Sequence, residues 1–377
     1  MSDDIFTKRY LQEGKLLTDF ELSNAETVGW ESPSNIALIK YWGKLGDQLP
    51  LNPSISFTLK NSKTVTKITY QKAKNAQPNI EYFFENKQNL AFEEKVKGYF
   101  EKISIYLPFI AKLNFKIYSH NTFPHSAGVA SSASSFSALA LCLCSIENNL
   151  FKTLTNNDDL YQKASFLARL GSGSACRSIY GKTAIWGKTD FVNGSTNELA
   201  LPMDSQVHNV FKTYGNAILI IDFGKKSFSS TEGHRLMQNH PFANARHSQA
   251  LDNMDRLITA LKNGDEKNFS QIVENEALTL HALMLSSNPS ICLMKSNTLT
   301  VITKLREFRD NRNLNFAFTL DAGPNIHILY PQTARKQVVD YINSELKAYF
   351  ENEAWIDDEL SEGPKPLNIV TSVRYME

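Results

Sequence analysis

The chain has 377 residues, 42% of them hydrophobic and 21% charged, ordinary values for a soluble globular protein with room for two domains. A formal net charge of +1 gives no gross bias toward nucleic acid or an anionic membrane, so neither is expected as a partner. The cysteines form no C-x-x-C pair, the N-terminus lacks a secretory apolar core, and no run reaches about 18 consecutive apolar residues, so a cytoplasmic protein with reduced thiols is expected.

Residues 1–25 read as a peripheral arm. Residues 55–61, 65–71 and 80–86 are β-rich runs bounded by polar breaks, which predicts three strands. Apolar spacing predicts a helix over 92–107, then a strand over 112–121 and a largely buried helix over 131–148. A second helix over 160–174 ends at a Gly-containing break, and 182–190 reads as a strand. The polar stretch 190–209 contains Pro202 and is the best candidate for a domain junction. Beyond it come a strand over 216–224, helices over 243–262, 268–284 and 297–310, a strand-turn-strand over 316–331 and a last strand over 367–375. Strands and helices interspersed in this way predict an α+β fold.

Four stretches carry chemistry. HNTFPHSAGVASSASSFSALALCL, from His120, places Gly128 and a run of serines directly before an apolar helix. The first amides of a helix lack internal partners and sit at the positive end of its dipole, so such a turn suits an anion. Tight packing of a small-residue helix, with serines as caps, fits the same residues. No G-K-[ST] follows, so this is not a Walker A loop. GSGSACRSIYG, from Gly171, offers Ser172, Ser174 and Arg177 to a carboxylate or phosphate; a helix cap and a surface arginine are the plainer reading. Cys176 has no identifiable base and reads as a packing thiol. Lys40, Tyr41, Trp42 and Lys44 cluster after an apolar run, either as a phosphate-binding group or as solvated lysines beside a core tryptophan. In TLDAGPN, Asp321 leaves an apolar strand into a tight turn, as a catalytic carboxylate or as an acidic turn residue.

Together these stretches resemble the mevalonate diphosphate decarboxylases of the GHMP kinase superfamily, from about residue 28 to the C-terminus. N-I-A-x-x-K-Y-W-G-K stands at Asn35 to Lys44, and P-x-x-A-G-L-A-S-S-A, with Val for Leu, at Pro124 to Ala133. G-S-G-S-A-C-R-S runs from Gly171 to Ser178, and T-x-D-A-G-P-N from Thr319 to Asn325. KKSFSSTEGHR, from Lys225, and LHA, from Leu280, are weaker matches. Other small-molecule kinases of the superfamily share the phosphate loop but lack the K-Y-W-G-K and G-S-G-S-A-C-R-S pair.

The resemblance implies a GHMP kinase fold. A ribosomal-protein-S5-like N-terminal domain (residues 26–205) and a ferredoxin-like C-terminal domain (206–377) would flank a cleft. It implies ATP-dependent decarboxylation of mevalonate 5-diphosphate to isopentenyl diphosphate, with ATP and Mg²⁺ and a homodimeric assembly. The catalytic residues it implies are Asp321, Lys40 and Arg177. The substrate contacts would be Asn35, Tyr41, Lys44, Ser172, Ser174, Ser230 and Lys225 or Lys226. Ser126, Gly128, Ala130, Ser131 and Ser132 would hold ATP phosphates. No metal-ligand cluster or structural zinc is expected from the chain's own side chains.

Two departures stand out. Family members often carry Arg-Asp after K-Y-W-G-K, where this chain has Leu45-Gly46-Asp47. They also carry an arginine before the strand matching residues 81–84 that contacts the substrate diphosphate, where this chain has Gln77-Pro78-Asn79-Ile80. Lys72, Lys74 and Lys87 are the nearby cations that could replace it. The second departure opens the alternatives of a phosphomevalonate decarboxylase or a mevalonate 3-kinase. A non-catalytic sensor would predict damage to the phosphate loop or to Asp321, and neither is damaged.

Overall fold

The structure is a computed structural model and describes residues 4–46, 48–74, 78–124, 129–224 and 230–368. In chain order its first elements are α1 (Ile5–Gly14), β1 (Glu26–Ala37), β2 (Lys44–Leu45), β3 (Leu49–Pro50), β4 (Ser54–Lys72), β5 (Ile80–Phe84), β6 (Lys87–Gln88) and α2 (Leu90–Ile103). Then come β7 (Leu113–Asn121), α3 (Ser131–Phe151), α4 (Asn157–Gly171), β8 (Thr183–Trp186), β9 (Ala200–Pro202), β10 (Gly215–Leu219), α5 (Ser230–Leu236) and α6 (Ala243–Asn263). The last are α7 (Glu266–Leu285), α8 (Ser296–Arg312), β11 (Ala317–Thr319), β12 (Ile326–Tyr330), α9 (Arg335–Tyr341), β13 (Trp355–Glu359) and β14 (Lys365–Pro366).

The first sheet has the order β14-β1-β4-β7-β5-β6, with β8 and β9 added beside β4. Its pairings are antiparallel except β5–β7, which are parallel and joined through α2. The second sheet has the order β11-β12-β10-β13 and is antiparallel throughout. One apolar core fills the space between the first sheet and α2, α3 and α4. A second core runs from Ile36, Ile55 and Phe57 to Tyr214, Ile218, Leu257 and Phe269, so burial of apolar surface joins the two halves continuously. The third lies between the second sheet and α8 and α9.

Three expectations change. The strands expected over 55–61 and 65–71 are one strand, β4. The polar break at Asn61-Ser62 does not turn, because both amides donate to the Asp358 carboxylate at 2.7 and 2.8 Å. Burial pushes the Asp358 carboxyl up, and these amides oppose that shift. The expected peripheral arm contains α1, and its Tyr10 and Leu17 are fully buried. Phe6 and Tyr10 lie one helical turn apart and share a face, and the Tyr10 ring sits 5.0 Å from that of Phe166. The Glu198 carboxylate takes the Phe6 and Thr7 amides at 2.9 and 2.8 Å, which satisfies the open helix end. Glu198 and β9 belong to the stretch expected as a junction, and β9 pairs with β8 of the first sheet, while Val192, Met203 and Val207 enter the core that joins the halves. Most of the last expected strand, 367–375, lies outside the described residues.

Part of the serine-rich helix answers to the packing reading. Ser134 Oγ lies 2.6 Å from Thr64 Oγ1, and Ser137 Oγ lies 2.5 Å from Ser32 Oγ, so these serines tie α3 to the sheet. Ser131 and Ser132 open the helix, with their hydroxyls beside Asn121 and Ser172.

Candidate active site

Beyond β1 the chain leaves the strand ladder and brings Lys40 to a point between the halves. The side chain is almost wholly enclosed; its Nζ donates to Ala37 O at 2.8 Å and to Asp321 Oδ1 at 2.8 Å. Burial lowers the Lys40 pKa, and Asp321 is the chief influence opposing it. Asp321 follows β11 in a turn closed by Gly323 N donating to Asp321 O at 2.7 Å. The same carbonyl accepts from His281 Nε2 at 3.2 Å. Asp321 is 28% exposed against 2% for Lys40, so the carboxylate faces the open side of the pair.

Arg177 sits in the 3₁₀ turn Gly173–Ile179 that follows α4. Its Nε donates to Ser56 Oγ at 3.0 Å and its Nη2 to Asn35 Oδ1 at 3.3 Å. Nη1 is buried without a hydrogen-bond partner. Burial opposes the charge, and Asp321 is among the groups that favour it. Asn35, expected to touch substrate, donates instead to Ser174 O at 3.1 Å and Ser178 Oγ at 2.7 Å. With both amide donations made inside the fold and its oxygen on Arg177, it orients the guanidinium.

Tyr41 packs against Trp186, with ring centroids 4.7 Å apart, and its hydroxyl is buried without a partner. Gly173 makes room for this pair: a Cβ there would meet Trp186 and Tyr41 atoms at 2.8 and 2.9 Å. Cys176 Sγ donates to Gly173 O at 3.0 Å, and burial pushes the thiol up to about 12, which suits packing and not nucleophilic attack. Lys44 lies in the β2–β3 hairpin with Nζ 3.5 Å from Gln48 Oε1. Burial lowers its pKa, and the charge of Lys102 on α2 adds to the effect.

The two small-residue turns meet. Ser132 Oγ lies 3.3 Å from Ser172 Oγ, and Asn121 Nδ2 donates to Ser131 Oγ at 3.0 Å. Ser34 Oγ donates to Ala130 O at 3.2 Å. Ala130 caps α3 without a side-chain bond, so no side-chain cap answers the first amides of α3. Ser126, Gly128, Lys225 and Lys226 lie outside the described residues, and Ser230 opens α5. Among the described residues no three His, Cys, Asp or Glu side chains gather to hold a metal. Mg²⁺ fits this donor set only in company with nucleotide phosphates, beside the Ser131 and Ser132 hydroxyls. No helix of the described residues is long and apolar enough to cross a membrane.

The described residues before β5 hold to the first sheet. Asn79 N donates to Asn114 Oδ1, and Asn114 is paired with Gln71 at the far end of β4 from Ser56. Fifteen residues, with a register shift against β1 between Thr58 and Lys63, separate Gln71 from Ser56.

Several groups at the site were not among the expected ones. Arg246 and Glu276 hold the main chain of Lys40; charged residues among the apolar positions of α6 and α7 were the available signal. His234 Nδ1 accepts from Gly43 N at 3.0 Å, with its ring 4.3 Å from that of Tyr41. His327 Nδ1 lies 3.2 Å from Asn216 Oδ1 behind the Asp321 turn. Burial pushes His281 and His327 down to about 4 and His234 to about 3. These histidines bind fewer protons folded than unfolded. Their stabilisation is complete above the ordinary value of 6.5 and is lost as pH falls from 6.5 toward 4. Each adds about 1.4 kcal/mol per pH unit in that window. A melting temperature that stayed level between pH 7 and pH 4.5 would contradict this prediction.

Two family models match this chain. The diphosphomevalonate decarboxylase-like N-terminal domain covers residues 32–197, and the mevalonate 5-diphosphate decarboxylase C-terminal domain covers 216–372. A diphosphomevalonate decarboxylase of Ganoderma lucidum is 31% identical over 330 residues, covering 82% of this chain and 80% of the relative. The human diphosphomevalonate decarboxylase is 27% identical, covering 78% of this chain and 74% of the relative. The crystal structure of mevalonate diphosphate decarboxylase from Staphylococcus aureus superposes with a TM-score of 0.78 at 28% identity, over 92% of this chain and 99% of that one. A second solved structure, in complex with MVAPP, AMPPCP and magnesium, matches with a TM-score of 0.76 at 26% identity, over 91% and 99%. The expected GHMP kinase fold is the fold of this chain. With both halves matched in order and the Lys40–Asp321 pair lying between them, the chain belongs to the diphosphomevalonate decarboxylase family.

Proposed function

We propose that this chain uses ATP to convert mevalonate 5-diphosphate into isopentenyl diphosphate, CO₂, ADP and phosphate, a step of the mevalonate pathway of isoprenoid biosynthesis. The observation that carries the reading is the enclosed Lys40 paired with Asp321, beside an arginine with a free buried Nη1. The relatives named diphosphomevalonate decarboxylase and the structure holding MVAPP, AMPPCP and magnesium support it.

The C3 hydroxyl of such a substrate is a poor leaving group until phosphorylated. Asp321 accepts or orients its proton, and Lys40 keeps that carboxylate ionised. Ser131, Ser132 and the open end of α3 receive ATP phosphates. Mg²⁺, if held with the nucleotide beside the Ser131 and Ser132 hydroxyls, would supply positive charge to those phosphates. Arg177, held by Ser56 and Asn35, turns Nη1 to the substrate carboxylate, and Tyr41 offers its hydroxyl nearby. Lys44, with Lys102 close enough for their charges to interact, supplies positive potential for the diphosphate. The carboxylate leaves as CO₂ as the C3 phosphate departs, so its electron pair forms the new double bond. The reading extends to a cytoplasmic homodimer, which light scattering would test.

The deciding experiment offers mevalonate, its 5-phosphate and its 5-diphosphate separately with ATP and Mg²⁺, following ADP and CO₂ together. Equal ADP and CO₂ from the diphosphate alone is the expected result. The same pair from the monophosphate would make this a phosphomevalonate decarboxylase, and ADP without CO₂ a 3-kinase. No turnover would return the chain to a sensor.

A further inference from the structure

The Lys40 main chain has no strand neighbour to pair with, yet both its polar groups are answered. Glu276 Oε2 accepts from Lys40 N at 2.9 Å, and Arg246 Nη2 donates to Lys40 O at 3.2 Å. The two side chains bind each other at 2.6 Å through both guanidinium nitrogens. Asn253 Nδ2 adds a 2.7 Å bond to Glu276 Oε1, and Asn52 Nδ2 a 3.1 Å bond to Lys40 O. Arg246 and Glu276 are 4% and 0% exposed and stand on α6 and α7, in the half that also carries Asp321. Enclosing two charges costs several kcal/mol, and well-packed apolar residues would join two helices as well or better. Helix packing therefore does not account for the pair. What it does that an apolar pair cannot is donate and accept at the two main-chain groups of one residue of the other half.

We propose that Arg246 and Glu276 are positioning residues that lock the Lys40 main chain to α6 and α7, so that Nζ meets Asp321 Oδ1. The proposal rests on the reading of Lys40 and Asp321 as the reacting centre. It separates stability from turnover. Misplacing a reacting group by about 1 Å costs about 100-fold in rate, while Arg177, Tyr41 and Ser131, which take no part in the clamp, still bind the ligands.

The test uses the full-length enzyme, Glu276→Gln and the double variant Arg246→Met/Glu276→Met, each with thermal melting and kcat and KM per folded molecule. In Glu276→Gln the expected result is a kcat lower by about 100-fold, with KM for ATP and substrate changed less than about threefold. The double variant is expected to melt at or above the temperature of Glu276→Gln yet remain as slow. Wild-type kcat in either folded variant would overturn the proposal and leave the reaction standing. A wild-type enzyme without turnover would overturn the functional reading and this proposal with it. Should the double variant not fold, Glu276→Gln alone decides through its kcat.

Discussion

Asp321→Asn lowers kcat by about 1,000-fold, within the range that a positioned acid–base group contributes, while substrate and nucleotide still bind. The substitution keeps the side chain's shape, the Asp321 carbonyl bonds to Gly323 and His281, and the helices around them. It removes the negative charge that accepts or orients the hydroxyl proton. It also removes the main influence holding the Lys40 charge against burial, so the lysine loses its proton more readily in the variant. Single-turnover ADP release measures the first effect, and calorimetric binding of a non-hydrolysable nucleotide and of substrate measures the second. Near-normal turnover would remove Asp321 from its role; loss of both turnover and binding would mark it as structural. In the wild type the same environment sets the alkaline side of the pH profile. Because burial favours the neutral amine, kcat falls on the alkaline side before an ordinary lysine at 10.5 would deprotonate.

Arg177→Met has the second-largest effect. Methionine approximates the length of the arginine stem without its fork. The carboxylate contact is lost, and the Ser56 hydroxyl and Asn35 Oδ1 lose a donor. Unmet buried acceptors cost about 1–3 kcal/mol, so the variant melts earlier. The decisive quantity is activity per folded molecule, which falls by about 100-fold if a loosely held carboxylate no longer leaves in line with the C3 phosphate. Normal activity per folded molecule, with stability alone reduced, would show that Nη1 does not meet the substrate carboxylate.

Arg177 also shows where local pattern stops. G-S-G-S-A-C-R-S marks a small-residue turn with a forked cation, but only the fold places Ser56 and Asn35 on two of its nitrogens and leaves the third bare. Asn35 reads as a ligand contact in its motif and acts as a brace, because its neighbours Ser174 and Ser178 come from a turn about 140 residues away along the chain.

What sequence alone determined is the local grammar. It determined most of the helices, the strand-turn-strand around Asp321, the α+β class and the motif residues Lys40, Arg177 and Asp321. The elements and the class follow from periodicity, turn chemistry and spacing, which act over a few residues, and the three residues from motifs that resemble the family's. The tertiary structure alone decided which of them meet. It joined two expected strands into β4 because Asp358 satisfies their break. It docked α1 through Glu198 and set Arg246 and Glu276 on the Lys40 peptide. Each of these is a buried polar group answered by a partner more than 190 residues away in the chain. Desolvation makes such answers obligatory, and no local pattern says which distant residue provides them.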